Sequence, residues 1–169
     1  MKRKIAILMG TRPEAIKLAP VIAAVDADPK LEPLVINTGQ HRELIDQVIS
    51  LFGIRVDRDL ALMKLNQSLA ELTSRLISAL DETLIATEPD LVIVQGDTTT
   101  VLAGALSAFY RRIPVGHVEA GLRTGDMASP FPEEANRRLT TTLAAMHWAP
   151  TTTSQDNLLR EGVCPKTVT

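Results

Sequence analysis

Five short, continuously apolar runs alternate with stretches of helical periodicity, and this alternation constrains the chain more than any other feature of its sequence. The runs are Lys4–Met9, Leu34–Asn37, Leu91–Gln95, Pro114–Val118 and, more weakly, Met146–Ala149. None alternates apolar with polar residues, which is the pattern of strands buried on both faces. Between them, apolar residues recur at helical spacing over Pro13–Val25, His41–Leu51, Gln67–Ala86, Thr98–Tyr110, Glu133–Leu143 and Ser154–Glu161. Pro13 suits a first helical turn, whereas Pro20 lies inside the same pattern and is expected to kink it. Strand followed by helix, repeated, predicts right-handed crossovers and a doubly wound, Rossmann-like α/β domain with a parallel sheet. No Gly/Ser/Pro-rich linker and no internal repeat divides the 169 residues, so a single domain over 1–169 is expected. After Gly162, a plain helix stop, Lys166–Thr169 reads as the start of a further β-like run.

Composition excludes several function classes. A chain 45% hydrophobic and 22% charged can fill a core, which removes intrinsic disorder from consideration. With 18 Lys+Arg against 20 Asp+Glu and 3% aromatics, it has neither the basic footprint nor the stacking platforms of a nucleic-acid binder. The lone Cys164 forms no intrachain disulfide, and a reducing, cytoplasmic setting is expected. No apolar run approaches the roughly 20 residues of a membrane span. There is no HxH, HExxH or Cys/His spacing, so no metal is expected; GxGxxG and GxxxxGK[ST] are absent too, so neither nicotinamide nor Walker-type binding is supported.

Ligands of open α/β sheets bind beyond the carboxyl ends of the strands, so the residues directly after each apolar run are the informative ones. After the first comes Gly10-Thr11-Arg12-Pro13-Glu14-Ala15-Ile16-Lys17, a glycine turn into a helix start carrying two cations. Backbone amides, helix dipole, Arg12 and Lys17 together make an anion site; the plainer alternative is a pair of solvated surface cations. Gln95-Gly96-Asp97-Thr98 closes the third run, where Asp97 is either a functional carboxylate or an N-cap. His117-Val118-Glu119-Ala120-Gly121 closes the fourth, and Glu119 is either a crevice carboxylate or the partner of Arg123. Glu133 and Glu134 open a helix after a Pro-rich loop, as the helix dipole alone favours. Even so, Asp97, Glu119 and Glu133 all fall where the crevice is expected, and crowded carboxylates have their pKa values driven apart, as proton transfer requires. His41 falls at the end of the second run and can face a ligand, whereas His147 lies in an apolar run and reads as core.

These segments resemble the non-hydrolysing UDP-N-acetylglucosamine 2-epimerases. The matching motifs are Gly10–Pro20, Thr38-Gly39-Gln40-His41, Gln95-Gly96-Asp97-Thr98, His117–Thr124, Pro132–Arg137 and Ala149-Pro150-Thr151, in the family's order along the chain. The resemblance implies the amino-terminal half of a GT-B architecture, its active site in the cleft toward a carboxy-terminal UDP-binding domain that these residues do not contain. It implies interconversion of UDP-GlcNAc and UDP-ManNAc by UDP elimination and re-addition, with no cofactor. Asp97, Glu119 and Glu133 are then the acid/base or sugar-positioning carboxylates, Arg12 and Lys17 the phosphate-facing cations, and Gln40, His41 and Arg137 further substrate-binding residues. The family also implies a homodimer and a place in cell-envelope polysaccharide synthesis. Thr152 stands where the family shows Glu, a mild surface change. Glu43 and Asn66 stand near a Gln and an Arg that serve a second, activating UDP-GlcNAc, so that site is expected to be weakened. The isolated chain is expected to be nearly inactive. Rival readings are a hydrolysing relative releasing UDP and ManNAc, a non-catalytic assembly module, and a generic phosphate-binding flavodoxin-like domain.

Overall fold

The structure, a computed structural model, describes all residues except 1, 40, 41 and 65, and the side chains of 42–44 are likewise outside it. Six parallel strands form one sheet: β1 (Arg3–Met9), β2 (Leu31–Asn37), β3 (Arg58–Asp59), β4 (Leu91–Gln95), β5 (Val115–Val118) and β6 (Met146–Trp148), in the order β3-β2-β1-β4-β5-β6. The helices are α1 (Arg12–Ala27), α2 (Arg42–Phe52), α3 (Leu69–Thr87), α4 (Thr99–Tyr110), α5 (Glu133–Leu143) and α6 (Thr152–Arg160). This is the doubly wound, Rossmann-like sheet that the alternation predicts.

Strand β1 shows why its run is continuously apolar. Ala6 and Leu8 point into one core, shared with Leu76, Leu80 and Leu84 of α3 and Val101 and Ala105 of α4. Ile5, Ile7 and Met9 point into the other, against Leu18 and Ile22 of α1 and Ile45 and Val48 of α2. Burying each such leucine contributes about 2 kcal/mol, so both helical layers are fixed to the sheet by apolar contact. Helix α3 starts at a capping box: Glu71 N–H donates to Ser68 Oγ at 3.2 Å, and Ser68 N–H donates to Glu71 Oε2 at 2.8 Å. Helix α1 runs on through Pro20.

Two departures from the expected elements have local causes. Strand β2 begins at Leu31, ahead of its apolar run, and tolerates Pro33 because β3 pairs only with Ile36 and Asn37. Pro33 therefore lies where β2 is the sheet edge, and its missing N–H leaves no ladder bond broken. The β-like run expected at 166–169 is mostly a 3-10 turn, Pro165–Thr167. Only Val168 bridges in parallel to His147, with Thr169 N–H donating to His147 O at 2.9 Å.

The central pair β1 and β4 marks the place where the chain changes direction of winding, with β2 on one side and β5 on the other. A crevice opens there, at the carboxyl ends of the strands.

Candidate active site

Two turns form the crevice floor. Beyond β1, Gly10 and Thr11 lead into α1, and Glu14 folds back beneath them. Its Oε2 accepts from the N–H of Gly10 at 2.7 Å and of Thr11 at 2.8 Å, and its Oε1 accepts from Thr98 Oγ1 at 2.6 Å. Glu14 is only 2% exposed, and burial raises its pKa in spite of these three bonds. Beyond β4, Gln95 leads into Gly96, whose φ of +83° suits glycine. Asp97 and Thr98 come next; it is Thr98, not Asp97, that caps α4.

A cavity of about 460 Å³ stands over these turns, lined by Arg12, Lys17, Gln95, Asp97 and Glu119 among others. Glu119 lies just past β5 in the left-handed region, φ +64°, a conformation costing a non-glycine residue roughly 1 kcal/mol or more. Its Oε2 accepts from Lys17 Nζ at 2.5 Å and also from Gln95 Nε2, while no described donor reaches Oε1. Arg123 is turned away, forked on Glu161 at 2.8 and 2.7 Å, so the Glu119–Arg123 pair does not form. Arg12 is exposed at the cavity wall and carries no ion pair among the described residues.

Helix α5 holds the Asp97 turn. Asn136 Nδ2 donates to Asp97 O at 2.9 Å, and Arg137 Nη2 pairs with Asp97 Oδ2. Arg137 Nη1 in turn donates to Glu134 Oε2 at 3.1 Å, while Arg138 Nε donates to Glu134 Oε1 at 3.0 Å and Thr124 N–H to Oε2 at 3.1 Å. Glu134 is fully buried. Burial alone would raise its pKa, but these donors and the Arg137 charge outweigh it and hold the carboxyl below its usual range. His117, also fully buried, donates Nε2–H to Gly96 O at 2.7 Å. Burial pushes its pKa down to about 4, so the ring is neutral and props the β4 turn without charge.

The structure thus gathers Arg12, Lys17, Asp97 and Glu119 around one cavity and attaches Arg137 to Asp97. Glu133 begins α5, half-buried; it is not in the cavity lining and forms no side-chain hydrogen bond or ion pair among the described residues. Gln40, His41 and the side chain of Glu43 lie outside the described residues; Asn66 has φ +55°. His147 is core, its Nε2 on Thr141 O at 3.1 Å. Among the described residues, no group of three or more His, Cys, Asp and Glu is placed to hold a metal ion. Sequence reasoning overlooked the three residues that orient the others: Gln95, hidden inside an apolar run, and Glu14 and Glu134, each a first-turn helical acid.

The single parallel sheet, covered by helices on both faces and with its polar crevice at the winding reversal, is one Rossmann-like half of the GT-B architecture. A lipopolysaccharide outer core galactosyltransferase, 13% identical, shares this fold with a TM-score of 0.67. Much nearer in sequence, the family model described as UDP-N-acetylglucosamine 2-epimerase matches residues 23–169, and the chain belongs to that family. The UDP-N-acetylglucosamine 2-epimerase of Escherichia coli K12 is 57% identical over 160 residues, which cover 95% of this chain and 43% of the relative. A crystal structure of the Neisseria meningitidis UDP-GlcNAc 2-epimerase bound to UDP-GlcNAc superposes with a TM-score of 0.94 at 53% identity, over 98% of this chain and 45% of that one. The Methanocaldococcus jannaschii enzyme, in complex with UDP-GlcNAc and UDP, gives 0.92 at 37%. The chain therefore spans less than half the length of the relatives it matches.

Proposed function

We propose that this chain is the amino-terminal domain of a cytoplasmic UDP-GlcNAc 2-epimerase that interconverts UDP-GlcNAc and UDP-ManNAc without nicotinamide. The observation that carries the reading is the paired-carboxylate crevice in a chain of this family. Glu119 and Asp97 each commit one oxygen to a cation, Lys17 and Arg137 respectively, and keep the other free of any described donor.

That arrangement suits the chemistry. A carboxylate removes the proton at C2, the electron pair forms the C1–C2 double bond of 2-acetamidoglucal, and the C1–oxygen bond to UDP breaks. On return, a carboxylic acid protonates C2 from the opposite face and UDP re-adds at C1. Lys17 and Arg137 hold Glu119 and Asp97 in position through their ion pairs, and Arg12, with Lys17, faces the negative charge of the departing diphosphate. Asp97, Glu119 and Glu133 share the acid, base and positioning roles, while Arg137 serves substrate binding through its ion pair with Asp97. A carboxy-terminal UDP-binding domain forms the other wall, and two such chains form a homodimer serving cell-envelope polysaccharide synthesis.

Joining this chain to the remainder of the E. coli relative supplies the test. UDP-ManNAc formation, with solvent deuterium entering C2, is expected, and Glu119→Gln or Asp97→Asn should each lower kcat about 100-fold or more. Full activity in both variants would remove these carboxylates from the mechanism. Free ManNAc as the product would favour hydrolysis over epimerisation. The isolated chain should show negligible turnover, because groups oriented on both walls are needed; robust turnover by it alone would overturn the half-site reading.

A further inference from the structure

In many nucleotide-binding α/β domains, the glycine turn after the first strand holds a phosphate with its free amides at the helix N-terminus. Here those amides are already taken. Gly10 and Thr11 both donate to Glu14 Oε2, and the other Glu14 oxygen is held by Thr98 across the crevice. The carboxylate is 2% exposed, so its removal from the turn means dragging a buried polar group out of three hydrogen bonds at once. We propose that Glu14 is a specificity-determining residue: it closes the Gly10 and Thr11 amides to phosphate and confines anion recognition on this wall to side chains, Arg12 foremost.

Four features agree with this. Glu14 lines the cavity together with Thr11, so the acceptor that occupies the amides belongs to the cavity wall itself. Its attachment is intramolecular, four residues from Gly10, and a dissolved anion has to compete with a carboxylate tethered in place. Its protonation state is immaterial to the blockade, since a protonated Glu14 still accepts from both amides through Oε2 and can donate Oε1–H to Thr98 Oγ1. Arg12 by contrast projects exposed into the same cavity with no ion pair among the described residues. The choice of a diphosphate as the anion rests on the nucleotide-sugar reading above, whereas the closing of the amides does not.

The experiment is a titration of the isotope-labelled chain with inorganic pyrophosphate, read by NMR at the Gly10 and Thr11 amides. In the wild-type chain these two resonances should move no further than those of other residues that merely neighbour Arg12. In Glu14→Ala both should move, with pyrophosphate binding about tenfold tighter. Glu14→Gln separates charge from occupancy: it removes the charge but keeps the amides filled, and its affinity should fall short of that of Glu14→Ala. Equal affinity in the two variants, no gain in Glu14→Ala, or wild-type amides that shift as the variant's do would each overturn the proposal. Should Glu14→Ala fail to fold, the wild-type chain still decides. Scalar coupling across the hydrogen bonds from Gly10 and Thr11 nitrogen to the Glu14 carboxyl carbon should persist with pyrophosphate in large excess, and its loss would refute the blockade. A wild-type Arg12 side chain that ignores pyrophosphate would overturn the assignment of anion recognition to Arg12, and with it the phosphate-facing role proposed for that residue, whereas the behaviour of the Gly10 and Thr11 amides decides the closing by Glu14.

Discussion

At Glu134 one buried carboxylate serves two arginines and the Thr124 backbone, and through Arg137 it reaches Asp97. Truncating it leaves Arg137, a residue only 9% exposed, short of one of its two carboxylate partners in a dry setting. Breaking a buried pair from one side is costly, and Glu134→Ala should destabilise the chain by roughly 3 kcal/mol in urea unfolding. An unchanged midpoint would mean that Arg137 finds a substitute partner. This residue also illustrates what sequence can disclose about such a site. Arg12, Lys17, Asp97 and Glu119 were legible because each stands in a polar stretch directly after an apolar run, where a doubly wound sheet puts its crevice. Glu14 and Glu134 were not, since an acid in the first turn of a helix is ordinarily explained by the dipole, and their burial is a tertiary fact. Gln95 was obscured differently: it ends an apolar strand, and only the left-handed turn at Glu119 brings a carboxylate onto it.

Among the elements, α6 shows how a helix remote from the chemistry shapes the loop that carries it. Gly121 lies under its first turn, with φ +87° and room so small that an added Cβ would sit 2.2 Å from Ser154 O. Asn157 Nδ2 donates to Gly121 O at 2.9 Å, and Arg123 forks onto Glu161 at the helix end, so α6 grips the 121–123 segment just past Glu119. Gly121→Ala combines backbone strain with a clash against rigid backbone, and should cost about 3 kcal/mol and lower hydrogen-exchange protection in 152–160. Unaltered protection there would show that the turn accommodates the methyl group by moving without α6. The remaining elements divide by how strongly their own residues declare them. Five strands had continuous apolar runs because both faces of the sheet are covered. Strand β3 had none: it is two exposed residues, Arg58 and Asp59, made into a strand only by pairing with Ile36 and Asn37. The same holds for Val168, whose single bridge to His147 exists only once β6 is in place.

For the molecule as a whole, acid stability brings two buried groups of the crevice into opposition. His117 has its folded pKa pushed from 6.5 to about 4 by burial, so between these values the unfolded chain takes up a proton that the folded chain refuses. Its contribution is therefore fully present above pH 6.5 and is lost as the pH falls toward 4, by about 3 kcal/mol in all. Glu14 works the other way. Its folded pKa is raised by burial, so its contribution is fully present below 4.5 and fades as the pH rises through the folded value. Glu134, held low against its burial by the Thr124 N–H, Arg138 and Arg137, and Glu161, held low by Arg123, lose theirs only as the pH falls from the ordinary carboxylate range through their folded values. Unfolding free energies of the wild-type chain alone mix these effects, but the comparison with His117→Gln isolates one. The glutamine amide can still donate to Gly96 O and does not titrate, while Glu14, Glu134 and Glu161 contribute alike to both proteins and cancel. The stability advantage of the wild-type chain over the variant should shrink by about 3 kcal/mol between pH 6.5 and 4. Parallel curves across that interval would mean that His117 takes up its proton in the folded chain as readily as in the unfolded one, and that the β4 turn accommodates an imidazolium beneath it.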